Sequence, residues 1–100
     1  MIVKDVKFSD DFIQFQFEKN THKVELNTVS KIFVETNDTD PLHEVLVVLV
    51  APDMDIKIPV SEESLMNMLP RLLDFAGFDD QLFIQAMSST ENKQFICWQK

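Results

Sequence analysis

The run Val45-Leu46-Val47-Val48-Leu49-Val50 is apolar at every position, and it constrains the chain more than any other feature. As a strand it carries apolar side chains on both faces, so it belongs at the centre of a sheet that is covered on both sides. With Ala51 the run reaches seven residues, far short of the roughly 20 that span a bilayer. The rest of the chain must therefore supply flanking strands and covering layers. At 100 residues it has enough surface to bury for one domain, 1–100, and no room for two.

The flanking strands announce themselves by alternation. Between Phe12 and Glu18, Ile13, Phe15 and Phe17 alternate with Gln14, Gln16 and Glu18, the period of a half-buried strand. Residues 2–8 read as a first strand with Ile2, Val6 and Phe8 on one face, and Ser9-Asp10-Asp11 as the turn after it. Lys19-Asn20-Thr21 turns the chain again, with Asn20 expected in a left-handed conformation in place of a glycine. Lys23–Leu26 is a short strand, broken near Asn27-Thr28, and the β-branched stretch Val29–Thr36 is the next. Asn37-Asp38-Thr39-Asp40-Pro41 is the most turn-rich segment. After the apolar run, Met54, Ile56, Ile58 and Val60 alternate with Asp55, Lys57 and Pro59, and the prolines at 52 and 59 predict an exposed edge.

From Ser61 the period becomes helical. Ser61 is a good N-cap, Glu62 and Glu63 suit the positive end of a helix dipole, and Leu65, Met66, Leu69, Leu72, Leu73 and Ala76 share one stripe to about Phe75. Pro70 lies within that stripe and removes the bond to Met66, so a kink or two short helices are expected. Gly77 is placed as the C-terminal cap. Asp79 can cap a second short helix, with Phe78 and Phe83 as its hydrophobic staple. Ser88–Asn92 reads as a loop and Gln94–Gln99 as a last strand. The order predicts an α+β domain: a mainly antiparallel sheet of about six strands, one or two C-terminal helices packed on one face, and a final short strand.

Composition removes many functions. A single glycine, Gly77, leaves no phosphate loop or dinucleotide fingerprint, and a single cysteine, Cys97, leaves no intrachain disulfide and no multi-cysteine metal site. Nine basic residues face 17 acidic ones, for a net charge of −8. Eight of the carboxylates (Glu35, Asp38, Asp40, Glu44, Asp53, Asp55, Glu62 and Glu63) lie between 35 and 63 against Lys57 alone. Nothing there could displace counterions from a phosphate backbone, so neither nucleic acid nor a membrane is an expected partner. An acidic surface serves solubility first and permits a basic protein partner. Charge as early as Lys4 leaves no signal core, and a free thiol fits a reducing compartment; the chain reads as cytoplasmic and bacterial-sized, starting at its own initiator methionine.

No catalytic, cofactor or metal residues are expected. His22 and His43 read as surface-turn residues, since no HExxH or H-x-x-E spacing accompanies them. Counting a calcium loop from Asp38 places Leu42 at position 5, His43 at 6 and Leu49 at 12, where ligands and a glycine are required. Cys97 alternates with Ile96 and Trp98 as a buried strand thiol would. Ser88, Ser89 and Thr90 lack the strained elbow of a serine nucleophile. Met54, Met66, Met68 and Met87 read as gap-filling core. Phe12 shares a face with Gln14 and Gln16, so it is expected to be exposed or to meet another chain.

The stretch Val29-Ser30-Lys31-Ile32-Phe33-Val34, then Leu69-Pro70-Arg71-Leu72-Leu73 with Gly77-Phe78-Asp79, and the ending Asn92…Phe95-Ile96-Cys97-Trp98, resembles small uncharacterised bacterial proteins. Some of these look like a pleckstrin-homology-type sheet packed on a helix. The resemblance implies packing and carries no catalytic residue over.

The first functional expectation is a non-enzymatic interaction or regulatory module that binds a protein partner or itself. Its candidate surface is Phe12, Glu35, Asp38, Asp40 and Glu44, with an edge strand as a second route to self-association. An alternative is a small-ligand domain with a pocket between sheet and helices, lined by Leu65, Leu69, Leu72 and Phe83 and anchored by Arg71 or His43. A third, a hydrolase or isomerase using converging carboxylates, has no spacing to support it.

Overall fold

The computed structural model of the chain describes residues 2–39, 42–88 and 93–100, and for residues 37–39 and 42–44 the backbone alone. Among them seven strands and two α-helices form an α+β domain, with β1 (Lys4–Phe8), β2 (Phe12–Phe17), β3 (Asn20–Glu25), β4 (Lys31–Thr39), β5 (Leu42–Val50) and β6 (Asp55–Pro59) preceding the helices α1 (Glu62–Leu72) and α2 (Asp80–Met87), and β7 (Lys93–Gln99) following them. All named strand pairs are antiparallel, but they do not form one sheet. β1-β2-β3 make a three-stranded meander, and β6-β5-β4-β7 a separate four-stranded sheet.

The change of sheet occurs where the sequence shows its break. Leu26–Thr28 form a single 3-10 turn, with Leu26 N–H donating to Asp11 O (2.9 Å) and Val29 N–H to Leu26 O (3.1 Å). Beyond it Ser30 N–H donates to Val50 O (2.9 Å), and the chain has left the meander for the larger sheet. A second link joins the sheets at the other end. Ile2 bridges Lys57 in parallel, and Val3 N–H donates to Lys57 O at 3.0 Å, so part of the β6 edge predicted from Pro59 is occupied.

β5 takes the central place expected of the apolar run, paired on both sides with Leu46–Leu49 buried. Val47 and Leu49 face the main core with Ile32, Val34, Ile56 and Ile58, and the meander adds Ile13 and Phe15. Leu46 and Val48 face the other way and form a second cluster with Phe33, edged by Val50. The turn expected at 37–41 is shorter: β4 and β5 stay in register to Thr39 and Leu42, and Asp40 and Pro41 lie outside the described residues. Of the loop read over 88–92, Ser88 caps α2 and 89–92 lie outside them too.

Local irregularities account for the residues whose facing the alternation misreads. Lys4 pairs Gln16 and Lys7 pairs Gln14, so a bulge inserts one extra residue, with Asp5 at φ 52°. The bulge changes the parity of the strand. Val3 is buried, Ile2 is exposed, and Val6 and Phe8 pack at the core's margin. The hairpin after Phe17 turns in two residues, Glu18 (φ 52°) and Lys19 (φ 69°); Asn20 is the first residue of β3 and not the left-handed one.

α1 begins in a capping box: Ser64 N–H donates to Ser61 Oγ (3.1 Å) and Ser61 N–H to Ser64 Oγ (2.7 Å). Pro70 neither splits the helix nor ends it at once, and the helix runs on to Leu72. Met66 and Pro70 share an exposed face, so the Met66 carbonyl that loses its donor is open to water. Gly77 stands beyond the cap position, at the third place of a turn closed by Phe78 N–H to Phe75 O (3.0 Å), where its φ of 86° is what a type II turn requires. The Trp98 indole N–H donates to Ala76 O (2.9 Å), and the Trp98 ring meets Phe75 edge-on at 4.8 Å, which ties this turn to β7. Asp79 caps α2 by accepting from Leu82 N–H (3.0 Å), and the Phe78–Phe83 staple closes at 5.7 Å.

Candidate functional site

The helices bury one face and present another. Met68 and Leu72, one turn apart on α1, and Phe83 and Ala86 on α2 are buried in the main core and fill the space between helices and sheet. The hollow lies one layer further out, between α1 and α2, with a volume of about 310 Å³. α1 contributes Leu65 and Leu69, and its C-cap the half-exposed Leu73, at helical spacing i, i+4, i+8. α2 contributes Asp80, Phe83, Ile84 and Met87, the stripe i, i+3, i+4, i+7. Phe83 forms the floor at 3% exposure, while Ile84 on the wall is 67% exposed. Met66, read as core, is 79% exposed on α1.

Two apolar ridges with one carboxylate between them are built to receive a third apolar ridge. The second cluster on the larger sheet is a weaker candidate. Phe33, Leu46 and Val48 are already buried among themselves, whereas Leu73 and Ile84 on the groove's walls are exposed.

Of the residues expected to form an interaction surface, the described Phe12 and Glu35 lie away from the groove. Phe12 lies on the outward face of the meander, half-buried beneath the Lys23 ammonium, 3.9 Å from its ring centroid. Glu35 lies on the outward face of the larger sheet, paired at 3.8 Å with Lys57. The Asp38 and Glu44 side chains and all of Asp40 lie outside the described residues. Of the expected pocket lining, Leu65, Leu69 and Phe83 do border the hollow, and Leu72 gives way to Leu73. Arg71 points elsewhere, into an ion pair with Asp10 at 2.7 Å.

Among the described side chains, Cys97 and His22 are engaged in packing. His22, expected in a turn, is in β3 and stacks on Phe15 with centroids 5.5 Å apart. His43 falls within β5, its side chain outside the described residues. Among the described residues no three of His, Cys, Asp and Glu gather where they could hold a metal ion. Among them, too, no helix is long and apolar enough to cross a membrane.

Cys97 is 2% exposed, and burial, reinforced by the negative charge of Asp79, pushes its thiol from the ordinary 9.0 up to about 11. At neutral pH it is a protonated, shielded thiol and a poor nucleophile. The folded chain therefore keeps a proton that the unfolded chain releases above pH 9.0, so this contribution to stability is intact below 9.0 and is lost as pH rises towards about 11. Iodoacetamide at pH 8 is expected to leave the native chain unmodified while alkylating the urea-unfolded chain fully; equal rates in the two states would remove the buried thiol. No protein-family model, curated protein or solved structure matches the chain.

Proposed function

We propose that this protein is a non-enzymatic interaction module whose docking surface is the groove between α1 and α2. The observation that carries the reading is the apolar hollow between the helices, where the exposed Leu73 and Ile84 form rims beside the partly buried Leu65, Leu69 and Met87. A helix presenting its own i, i+3/i+4, i+7 residues is the shape that fits between two such ridges. The burial of Cys97 and the stacking of the half-buried His22 on Phe15 support binding over bond-making. A protein segment fits better than a small apolar molecule, since enclosed ligand pockets combine depth with several polar anchors and this groove offers Asp80 alone. A different chain fits better than a second copy, because two copies would each bring a net charge of −8.

The test is amide-shift mapping by NMR on the full chain during titration with an amphipathic helical peptide. Shifts confined to residues 65–73 and 80–87 are expected. Shifts centred on the meander or on the Phe33–Val48 cluster would assign the docking surface elsewhere.

A further inference from the structure

We infer that the groove selects a basic amphipathic helix: a two-turn apolar stripe with Lys or Arg at both ends. This rests on the groove being a docking surface and adds which partner it takes. The span from Leu65 to Leu73 is eight residues, about 12 Å along a helix axis, which two turns of a ligand helix match. Acidic residues flank that span in the chain, and one of them lines the groove. Glu62 stands one turn before Leu65 on α1, and Asp80 borders the groove beside the end of α1, with Asp74 and Asp79 close to it in the chain. Across residues 61–88 five carboxylates stand against one cation, Arg71, and that cation is taken up by Asp10 at 2.7 Å and Asp74 at 3.8 Å. No Lys occurs anywhere in that stretch.

Charge and shape then act on different aspects of binding. The apolar ridges supply the burial that holds the ligand, and the acidic flanks set its sign, speed its approach and repel anionic alternatives. A fatty acid would bring its carboxylate against Asp80, and a second copy would bring Glu62 and Asp80 of its own. The adaptable thioether of Met87 in the groove wall allows the apolar stripe some freedom in sequence.

The experiment compares two fluorescein-labelled peptides of about 16 residues, long enough for helix to form in water. Both carry Leu at i, i+3, i+4 and i+7, and they differ in having Lys or Glu in the end turns. Anisotropy titrations use the 100-residue chain, Asp80→Asn, and the double variant Leu73→Ser/Ile84→Ser, which alters exposed residues and leaves net charge unchanged. The Lys peptide is expected to bind about tenfold more tightly than the Glu peptide, with the preference reduced in Asp80→Asn and at about 0.5 M salt. The Ser double variant is expected to lose binding of both.

If the two peptides bind the native chain equally and the Ser variant binds neither, the groove stands and the charge selection is refuted. If the Ser variant binds the Lys peptide as well as the native chain does, attraction to an acidic surface explains everything and the groove reading fails as well. Sedimentation of the protein alone supplies the remaining outcome: a dimer abolished by Leu73→Ser/Ile84→Ser would give the groove to a second copy and overturn the proposal.

Discussion

Leu72→Ala and Leu73→Ala are expected to have opposite consequences, although the residues are neighbours in sequence. Leu72 is fully buried in the main core with Met68 and Phe83, so truncation should leave a cavity and cost about 2–5 kcal/mol. For a 100-residue domain, whose whole stability is of order 5–15 kcal/mol, that is a large fraction. Leu73 is 51% exposed on the groove wall, and its truncation should change stability by no more than about 0.5 kcal/mol. The docking energetics reverse. Leu73→Ala should weaken an amphipathic peptide severalfold, as removal of an apolar contact from the groove wall does, and Leu72→Ala should leave affinity intact wherever the chain is still folded. Urea denaturation followed by the single Trp98, together with peptide titration of each variant, measures both quantities. Similar midpoints for the two variants would mean that α1 is not seated through its Met68–Leu72 face.

The pair also shows how far the helices can be read from sequence. The caps are legible because they are local chemistry: Ser61, Asp79 and the Phe78–Phe83 staple sit where side-chain oxygens and rings at fixed offsets must put them. The division of the apolar stripe is not legible. Leu65, Met68, Leu69, Leu72 and Leu73 form one broad band on a helical wheel, and only the position of the sheet decides that Met68 and Leu72 turn inward while Leu65, Leu69 and Leu73 turn to the groove. Met66 is apolar, on the band's edge and almost wholly exposed, so hydrophobicity alone could not place it. The exposed part of a too-broad stripe is nevertheless a sequence signal for a docking face, and Leu73 carries it on α1.

Sheet organisation divides along the same line. β5 is central because a run without polar positions has nowhere else to go, and this is visible in the sequence. That β4 pairs with β7, across some 60 residues of chain, depends on the helices returning the chain to the far side of β4. The break at Leu26–Thr28 is visible as a break, but whether the chain bends within a sheet or crosses to another depends on Ser30 meeting Val50. Bulges are equally hidden. One extra residue near Asp5 exchanges Ile2 for Val3 in the core, and the shift between Ile32 and Phe33 in the β4–β7 ladder brings Trp98 opposite Ile32, with its ring on Phe75.

The hairpin at Glu18-Lys19 gives the largest expected gain in stability. Two-residue hairpin loops with positive φ at both central positions match the twist of the strands, and they strongly favour Asn-Gly. Here the positions are Glu18 at φ 52° and Lys19 at φ 69°, two side chains that each raise the energy of a left-handed backbone by about 1–2 kcal/mol. Nothing in that dipeptide signals the turn type, which is why the neighbouring Asn20 draws attention instead. Glu18→Asn/Lys19→Gly should relieve most of that strain. Against it stands the greater freedom of glycine in the unfolded chain, about 0.5–1 kcal/mol, so a net gain of about 1–2 kcal/mol remains. In a domain of this size each kcal/mol raises the melting temperature by roughly 4–8 °C. The register Phe17↔Asn20 fixes the loop at two residues, so the substitution should leave the β2–β3 ladder and its Phe15–His22 stack in place. Calorimetry of the double variant beside Asn20→Gly separates the two placements of the left-handed residue. Stabilisation by Asn20→Gly and none by the double change would shift the turn by one residue and, with it, every inward side chain of β3 to the other face.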